Sequence, residues 1–281
     1  MMKKKLASIL IVLLLPVLSA AAGLTEDTGI RTLEQAVKAA EALASQSTGA
    51  SDVLQVNAVA LNVASVVIDL DFAHIKYEYL DARQESLKLK AEKADKDFRV
   101  GRIDSKTRDK LKKTVVQNNF DLNYYKLQIE NCEKSFKSLT GEAISSDFEY
   151  DDAYLITDAG KLKLPASADK DMNGADADKK LNEVLTAYKK LGDLISVYIE
   201  AGEKLAGVQK EYKTGKADHE TVEAAGEDKE KARIDALEGK AQFSKLLYEL
   251  DCSLQGYISR DVKKIPNPIF LPSPNTIEKG G

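Results

Sequence analysis

The chain has 281 residues, with 41 basic and 45 acidic side chains and a formal net charge of −4. Charges of both signs are interspersed and make up 31% of residues, aromatics only 6%, and Trp is absent. That balance excludes the concentrated basic surface that nucleic-acid phosphates require, and the bias to Ala, Lys, Glu and Leu reads as long solvated helices with a narrow buried seam.

Residues 1–22 read as a secretory signal: a basic MMKKK start, the apolar run LASILIVLLLPVL and small residues in SAAAG. Cleavage is expected after Ala22, with no Cys next to it to carry a lipid anchor, so the product is exported, to the periplasm or in association with the outer membrane. Removing Lys3, Lys4 and Lys5 with the signal leaves 38 of the 41 basic side chains against 45 acidic ones, a net charge of −7. No second apolar run of about 18 residues is read after it, so no membrane-spanning helix is expected. Residues 23–51 hold a short helix, TLEQAVKAAEALASQS, with Thr32 as its cap, and then a Gly-Ala-Ser break.

Residues 52–141 form the first helical hairpin. Apolar residues run from Val59 through Leu70, Tyr77, Leu80, Leu87 and Ala94 to Phe98 at alternating spacings of four and three, with Gln84 as the one interruption. This predicts one helix of about 45 residues, roughly 70 Å long at about 1.5 Å per residue. After Gly101 the seam resumes from Leu111 through Val115, Asn118, Leu122, Ile129 and Phe136 to Leu139. Gly101 supplies the positive φ of a C-cap, and Asp104 or Ser105 caps the returning helix.

Residues 142–178 are a linker in which DAYLITDAGKLKLP offers at best a short β-hairpin. Residues 179–258 repeat the hairpin: Val184, Leu191, Tyr198, Leu205 and Tyr212 lie on the descending seam, Asp218 caps the return and Gly256 ends it. In the returning helix Lys229 and Lys240 interrupt the stripe, which predicts a looser, more solvent-facing arm. Residues 259–281 are an extended tail, because its prolines forbid helix.

The two tips match position by position at an offset of 114: Phe98 with Tyr212, Arg99 with Lys213, Gly101 with Gly215, Arg102 with Lys216 and Asp104 with Asp218. Hairpin lengths match as well, which marks an internal repeat. The fold class is therefore all-α, two tandem long αα-hairpins of coiled-coil type. Apolar residues off the seam, Leu54, Ala60, Leu61, Val67 and Ile68, give more apolar surface than one four-helix bundle needs, and so favour a homo-oligomer.

Chemistry is little signalled. Gly101 and Gly215 turn the chain, and their basic neighbours suit helix C-termini whether or not a partner docks there. His74 and His219 stand alone and read as structural or solvated. Acid pairs such as Asp69 and Asp71 carry no catalytic signal without a pocket. Cys132 and Cys252 form no metal or redox motif. Superposed repeats separate them by roughly 7.5 Å along the axis, beyond the usual reach of a bridge, which favours two small core residues over a disulfide. No catalytic residue, cofactor site or metal ligand set is assigned, and the chain is not read as an enzyme.

Two tandem hairpins, each with an aromatic-basic-x-Gly tip and each closing on Leu-x-Gly in SLTGEAISSD and SLQGYISRD, resemble the TolC-type outer membrane efflux proteins. The opening RTLEQAVKAAEALASQS is similar to that family's N-terminal helix. The resemblance implies a trimer of protomers walling a helical barrel in the periplasm, a passive conduit without bond chemistry. It also implies a periplasmic adaptor docking at the tips, on Phe98, Arg99, Gly101, Arg102, Asp104, Tyr212, Lys213, Gly215, Lys216 and Asp218.

Two features depart from the family. No alternating strand reaches the length of about 10 residues that an outer-membrane barrel needs, so contact with the outer membrane would be indirect or through another protein. Thr221 and Ala224 stand where the family's channel-narrowing acids lie, with Glu220 and Glu223 one residue away and about 100° round the helix. The other reading is a non-conducting periplasmic helical bundle, a scaffold or interaction module derived from such a channel.

Overall fold

A computed structural model describes residues 29–48, 53–154 and 174–254. The signal, the linker strands, Gly256, the extended tail and the side chain of Leu54 lie outside the described residues. Five helices carry the fold: α1 Leu33–Thr48, α2 Val53–Arg99, α3 Ser105–Thr140, α4 Gly174–Lys213 and α5 His219–Ser253, with a 3-10 turn at Tyr150–Ala153 between α3 and α4. The all-α class of two tandem hairpins expected from the sequence is the one observed, although α4 already begins within the polar run read as linker.

Several helix ends fall on residues the sequence marks, whereas α5 stops at Ser253 with Leu254 as its cap. The Thr32 hydroxyl accepts from Gln35 N–H at 3.3 Å and the Gln35 side chain accepts from Arg31 N–H at 3.0 Å, which closes the start of α1. α3 ends at Gly141, φ 80°, whose N–H donates to the Lys137 carbonyl at 2.8 Å. Along α2 the positions Ala73, Leu80, Leu87 and Ala94, spaced by a constant heptad, are all buried, as a seam of period 3.5 requires. Midway along this seam the Asn118 side chain of α3 donates to the Leu80 carbonyl at 3.1 Å.

The helices lie in the spatial order α3, α2, α5, α4, each packed on the next, with α1 across the base of α2 and α3. Adjacent helices run in opposite directions. Among the described residues the two outer helices, α3 and α4, do not meet, so the four form an open layer rather than a closed bundle.

The main core sits at the base, away from the tips. There Val63, Val67 and Ile68 of α2 and Phe136 of α3 pack with Ala36 and Ala40 of α1, Ala241 of α5, and Phe148, Ala153 and Tyr154 after α3. Ile30 joins them by a parallel bridge to Ile144. Gly29 is needed at this bridge, since a Cβ there would lie 2.8 Å from the Ser145 backbone nitrogen. Contrary to the expectation of no further membrane-length run, Ala58–Arg99 within α2 is long and apolar enough to cross a membrane by length and composition. Its apolar surplus has another use in this fold: α1 and the segment after α3 cover Val67 and Ile68 completely.

The returning arm α5 differs most from expectation. It is a central helix, with Phe243, Leu247 and Leu250 buried against Val184 and Leu191 of α4, and Ile234 and Ser244 also buried. Gly239 keeps the seam continuous where Lys240 breaks it. A Cβ on Gly239 would come within 2.8 Å of the Leu194 methyl of α4, so the helices approach closely there.

Candidate functional site: the hairpin tips and the edges of the layer

Both tips fold by the same hydrogen bonds. Gly101 takes φ 72° and Gly215 φ 71°, a conformation that costs any residue with a Cβ. Gly101 N–H donates to Phe98 O at 3.0 Å and Arg102 N–H to Asp97 O at 2.8 Å; Gly215 N–H donates to Tyr212 O at 3.0 Å and Lys216 N–H to Glu211 O at 2.9 Å. These are paired six-to-one and five-to-two bonds of a Schellman stop. The return helices are capped alike: Asp104 accepts from Thr107 N–H at 2.7 Å, and Asp218 from Thr221 N–H at 2.8 Å and its hydroxyl at 2.6 Å. The Thr107 amide holds the Asp104 carboxyl below the usual carboxylate range, and the Thr221 hydroxyl and amide do the same for Asp218.

The tips differ in how each aromatic is held. Phe98 is half-buried beneath Arg108, whose guanidinium lies 4.1 Å from the ring centroid. Tyr212 is exposed and meets His219 edge-on at 6.3 Å. Arg99, Gly101, Arg102, Asp104, Lys213, Gly215, Lys216 and Asp218 all lie at the surface, with Arg102 paired to Asp97 at 3.4 Å. Among the described residues no hydrogen bond or ion pair joins one tip to the other. Glu220 and Glu223 are exposed, with Glu223 4.0 Å from His219 Nδ1.

Three ion pairs set the height of one hairpin against the other: Lys90 with Glu227 at 2.5 Å, Lys76 with Glu238 at 3.6 Å, and Lys245 with Asp69. Lys90 and Glu227 each stand about three helical turns from the tip glycine of their own hairpin, and Lys76 and Glu238 each stand roughly six to seven turns away. The two tips therefore lie level.

A polar pin also joins the hairpins near the base. The Tyr154 hydroxyl donates to Asp71 of α2 at 2.6 Å, and the Lys240 ammonium of α5 lies 4.1 Å from the centre of the Tyr154 ring and 3.6 Å from Asp151. Burial pushes the Tyr154 hydroxyl well above its ordinary value, and Tyr150 up to about 12. Cys132 and Cys252 are both free thiols, half-buried, with burial raising each pKa.

The edges of the layer carry what the seam reading overlooked. On α3, Val116, Phe120, Tyr124 and Leu127 are 68%, 66%, 48% and 58% exposed and share one helix face. On α4, Leu185, Tyr188 and Ile199 are exposed, and Gly192, Ile195, Gly202 and Ala206 continue their four-three spacing, although Ile195 packs on the α4–α5 core and the Tyr188 ring lies 5.6 Å from Phe243. This is a second seam, displaced by one residue from Val184, Ala187, Leu191, Leu194, Tyr198, Ala201 and Leu205. It is legible in the sequence as that second repeat. Val67 and Ile68, expected to supply surface for association, belong to the core instead, because α1 folds over them.

The described helices thus form a layer of two paired hairpins with level tips and exposed apolar side chains on both outer helices. The sequence matches no protein-family model and no curated protein. Among solved structures it is similar to the CmeC outer membrane channel of Campylobacter jejuni, at 12% identity and TM-score 0.49, over 73% of this chain and 64% of that one. It is also similar to a membrane protein from Pseudomonas aeruginosa, at 13% identity and TM-score 0.47, over 78% of this chain and 72% of that one. A third likeness is to the outer membrane protein VceC of Vibrio cholerae, at 12% identity and TM-score 0.47, over 80% and 74% of the two chains. The chain thus spans less than two thirds of the Campylobacter channel.

Proposed function

We propose that the chain is a wall segment of a TolC-like periplasmic conduit, a passive component of an efflux or secretion system. Several copies, three being favoured, complete the wall. The repeated tips dock a periplasmic adaptor, and the outer membrane is reached indirectly or through another protein. The observation that carries this reading is the open layer: α3 and α4 do not meet among the described residues, α3 leaves an apolar stripe exposed, and α4 leaves Leu185, Tyr188 and Ile199 partly so. A free-standing four-helix bundle would bring those helices together and bury the stripes. Exposed stripes of this length mark interaction surfaces.

One observation favours a second reading, a non-conducting periplasmic scaffold: α2 runs unbroken from Val53 to Arg99, so no strand pair interrupts the first hairpin. The absolute mass of residues 23–281 by light scattering without detergent separates the two. A trimer, or another closed ring, supports the conduit. A strict monomer overturns it and leaves the scaffold.

A further inference from the structure

The two tips share a backbone and differ in charge. Over the 13 residues on either side of Gly101, positions 88–114, there are 11 basic and 5 acidic side chains, a net charge of +6. The same span about Gly215, positions 202–228, has 4 basic and 7 acidic side chains, a net charge of −3. The net charge of −4 for the whole chain conceals this contrast.

At the first tip four of the five acids are already engaged. Asp95 pairs with Lys112 at 2.9 Å, Asp97 with Arg102 at 3.4 Å and Asp109 with Arg108 at 2.7 Å, while Asp104 caps α3. Lys93, Lys96, Arg99, Lys106, Lys110 and Lys113 are exposed, and none of them forms an ion pair among the described residues. At the second tip the balance runs the other way. Lys204 is held by Asp228 at 2.8 Å, and Glu203, Glu211 and Glu220 are exposed.

A run of surface charge by itself is a solvated face. Here the cations surround one apex, where Val100 is also exposed, and the sign reverses at the level tip beside it, although both tips fold by the same hydrogen bonds. An extended polyanion, such as a bilayer surface or a nucleic acid, would meet the acidic tip as well, and attraction at one tip would be opposed at the other. A polypeptide can present both signs at this spacing.

We infer that the first tip, around Gly101, takes the acidic face of a partner polypeptide, which turns basic side chains towards the second tip, around Gly215. The inference rests on the tips being docking surfaces, as proposed above, and adds the charge of the partner and its orientation.

Fluorophores at Ser105→Cys or Gln209→Cys, in a Cys132→Ala, Cys252→Ala background, report on the two tips separately. The probes are two synthetic helices of about 20 residues, one of Glu and Ala and the other of Lys and Ala. The acidic peptide is expected to act at Ser105→Cys and the basic one at Gln209→Cys, each about tenfold or more tighter than the reverse pairing. Lys93→Glu, Lys96→Glu, Lys106→Glu and Lys110→Glu together change four charges by two each, taking the first tip from +6 to −2. This set should abolish binding of the acidic peptide with the circular-dichroism signal retained. The same four positions as Gln, a good helix former without charge, should weaken binding about tenfold. Acidic-peptide binding that survives both sets would overturn the proposal, as would phosphatidylglycerol vesicles that act at Ser105→Cys as strongly as the peptide. Two peptides that act alike at both tips would overturn it too and leave docking without a charge sense. If neither label responded to either peptide, the docking reading would fall with it.

Discussion

A carboxyl group packed among helices needs donors, and Asp71 has the Tyr154 hydroxyl at 2.6 Å with the Lys240 ammonium close by. Burial nevertheless dominates and pushes the carboxyl above its ordinary value of 3.8, with Asp151 adding to the rise and Tyr154, Lys240 and His74 opposing it. An acid whose folded pKa is raised contributes stability that is fully present below the unfolded value and is lost as pH rises through the folded one. Asp71→Asn removes that loss. The variant should therefore gain stability on the parent as pH rises from about 4 towards neutrality. Thermal melts across that range would show a parent–variant gap that moves in favour of the variant, and a gap independent of pH would refute the assignment. None of this was legible in the sequence, where Lys240 stood only as a break in the α5 stripe. Its partners lie on α2 and on the turn after α3, far away in the chain.

The α2–α3 seam shows how a helix pair is kept in one register. Asn118 is buried and donates to the Leu80 carbonyl at 3.1 Å, while its own side-chain oxygen has no hydrogen-bond partner among the described residues. One turn away Gln84 donates to Asn119 at 2.6 Å. In the sequence Gln84 and Asn118 interrupt apolar seams; in the structure each of them bonds across to the facing helix. A polar group at a seam position fixes register at a cost in stability. Asn118→Leu relieves a buried unsatisfied acceptor and should stabilise the hairpin by about 1 kcal/mol or more. Equilibrium urea unfolding would show this as a higher midpoint, and a lower one would mean that the Leu80 bond outweighs the orphaned oxygen. Helix existence, the heptad period and both tips were readable because their signals are local: spacing, Gly, then Asp three positions on. The burial of α5 was not, because a helix with neighbours on two sides divides its apolar residues between two faces and blurs the single stripe that periodicity detects.

At the scale of the whole molecule the two kinds of helix contact differ in chemistry. Within each hairpin buried apolar residues continue towards the tip, with Leu87 and Ala94 on α2 and Ala225 and Ala232 on α5, whereas the apolar cluster that joins α2 to α5 sits at the base. Towards the tips their junction carries the Lys76–Glu238 and Lys90–Glu227 pairs, with Lys90 and Glu227 33% and 41% exposed. Charged pairs have no period, which is why the order of helices in the layer could not be read from the sequence while the pairing within hairpins could. Exposed pairs of this kind contribute only about 0–1 kcal/mol each and are screened by salt, with a screening length of about 3 Å at 1 M. The base, held by Val67, Ile68, Phe136 and Ala241, is indifferent to salt or slightly strengthened by it. Salt should therefore part the hairpins from the tips downward and leave the base closed. Spin labels at Lys106 and Glu220 should show a distance distribution that broadens and lengthens at about 1 M salt relative to about 0.1 M, while a pair at Ala42 and Glu249 stays unchanged. If both pairs kept their distances, packing that the charges do not control would be holding the tips together, and the junction would be rigid along its length.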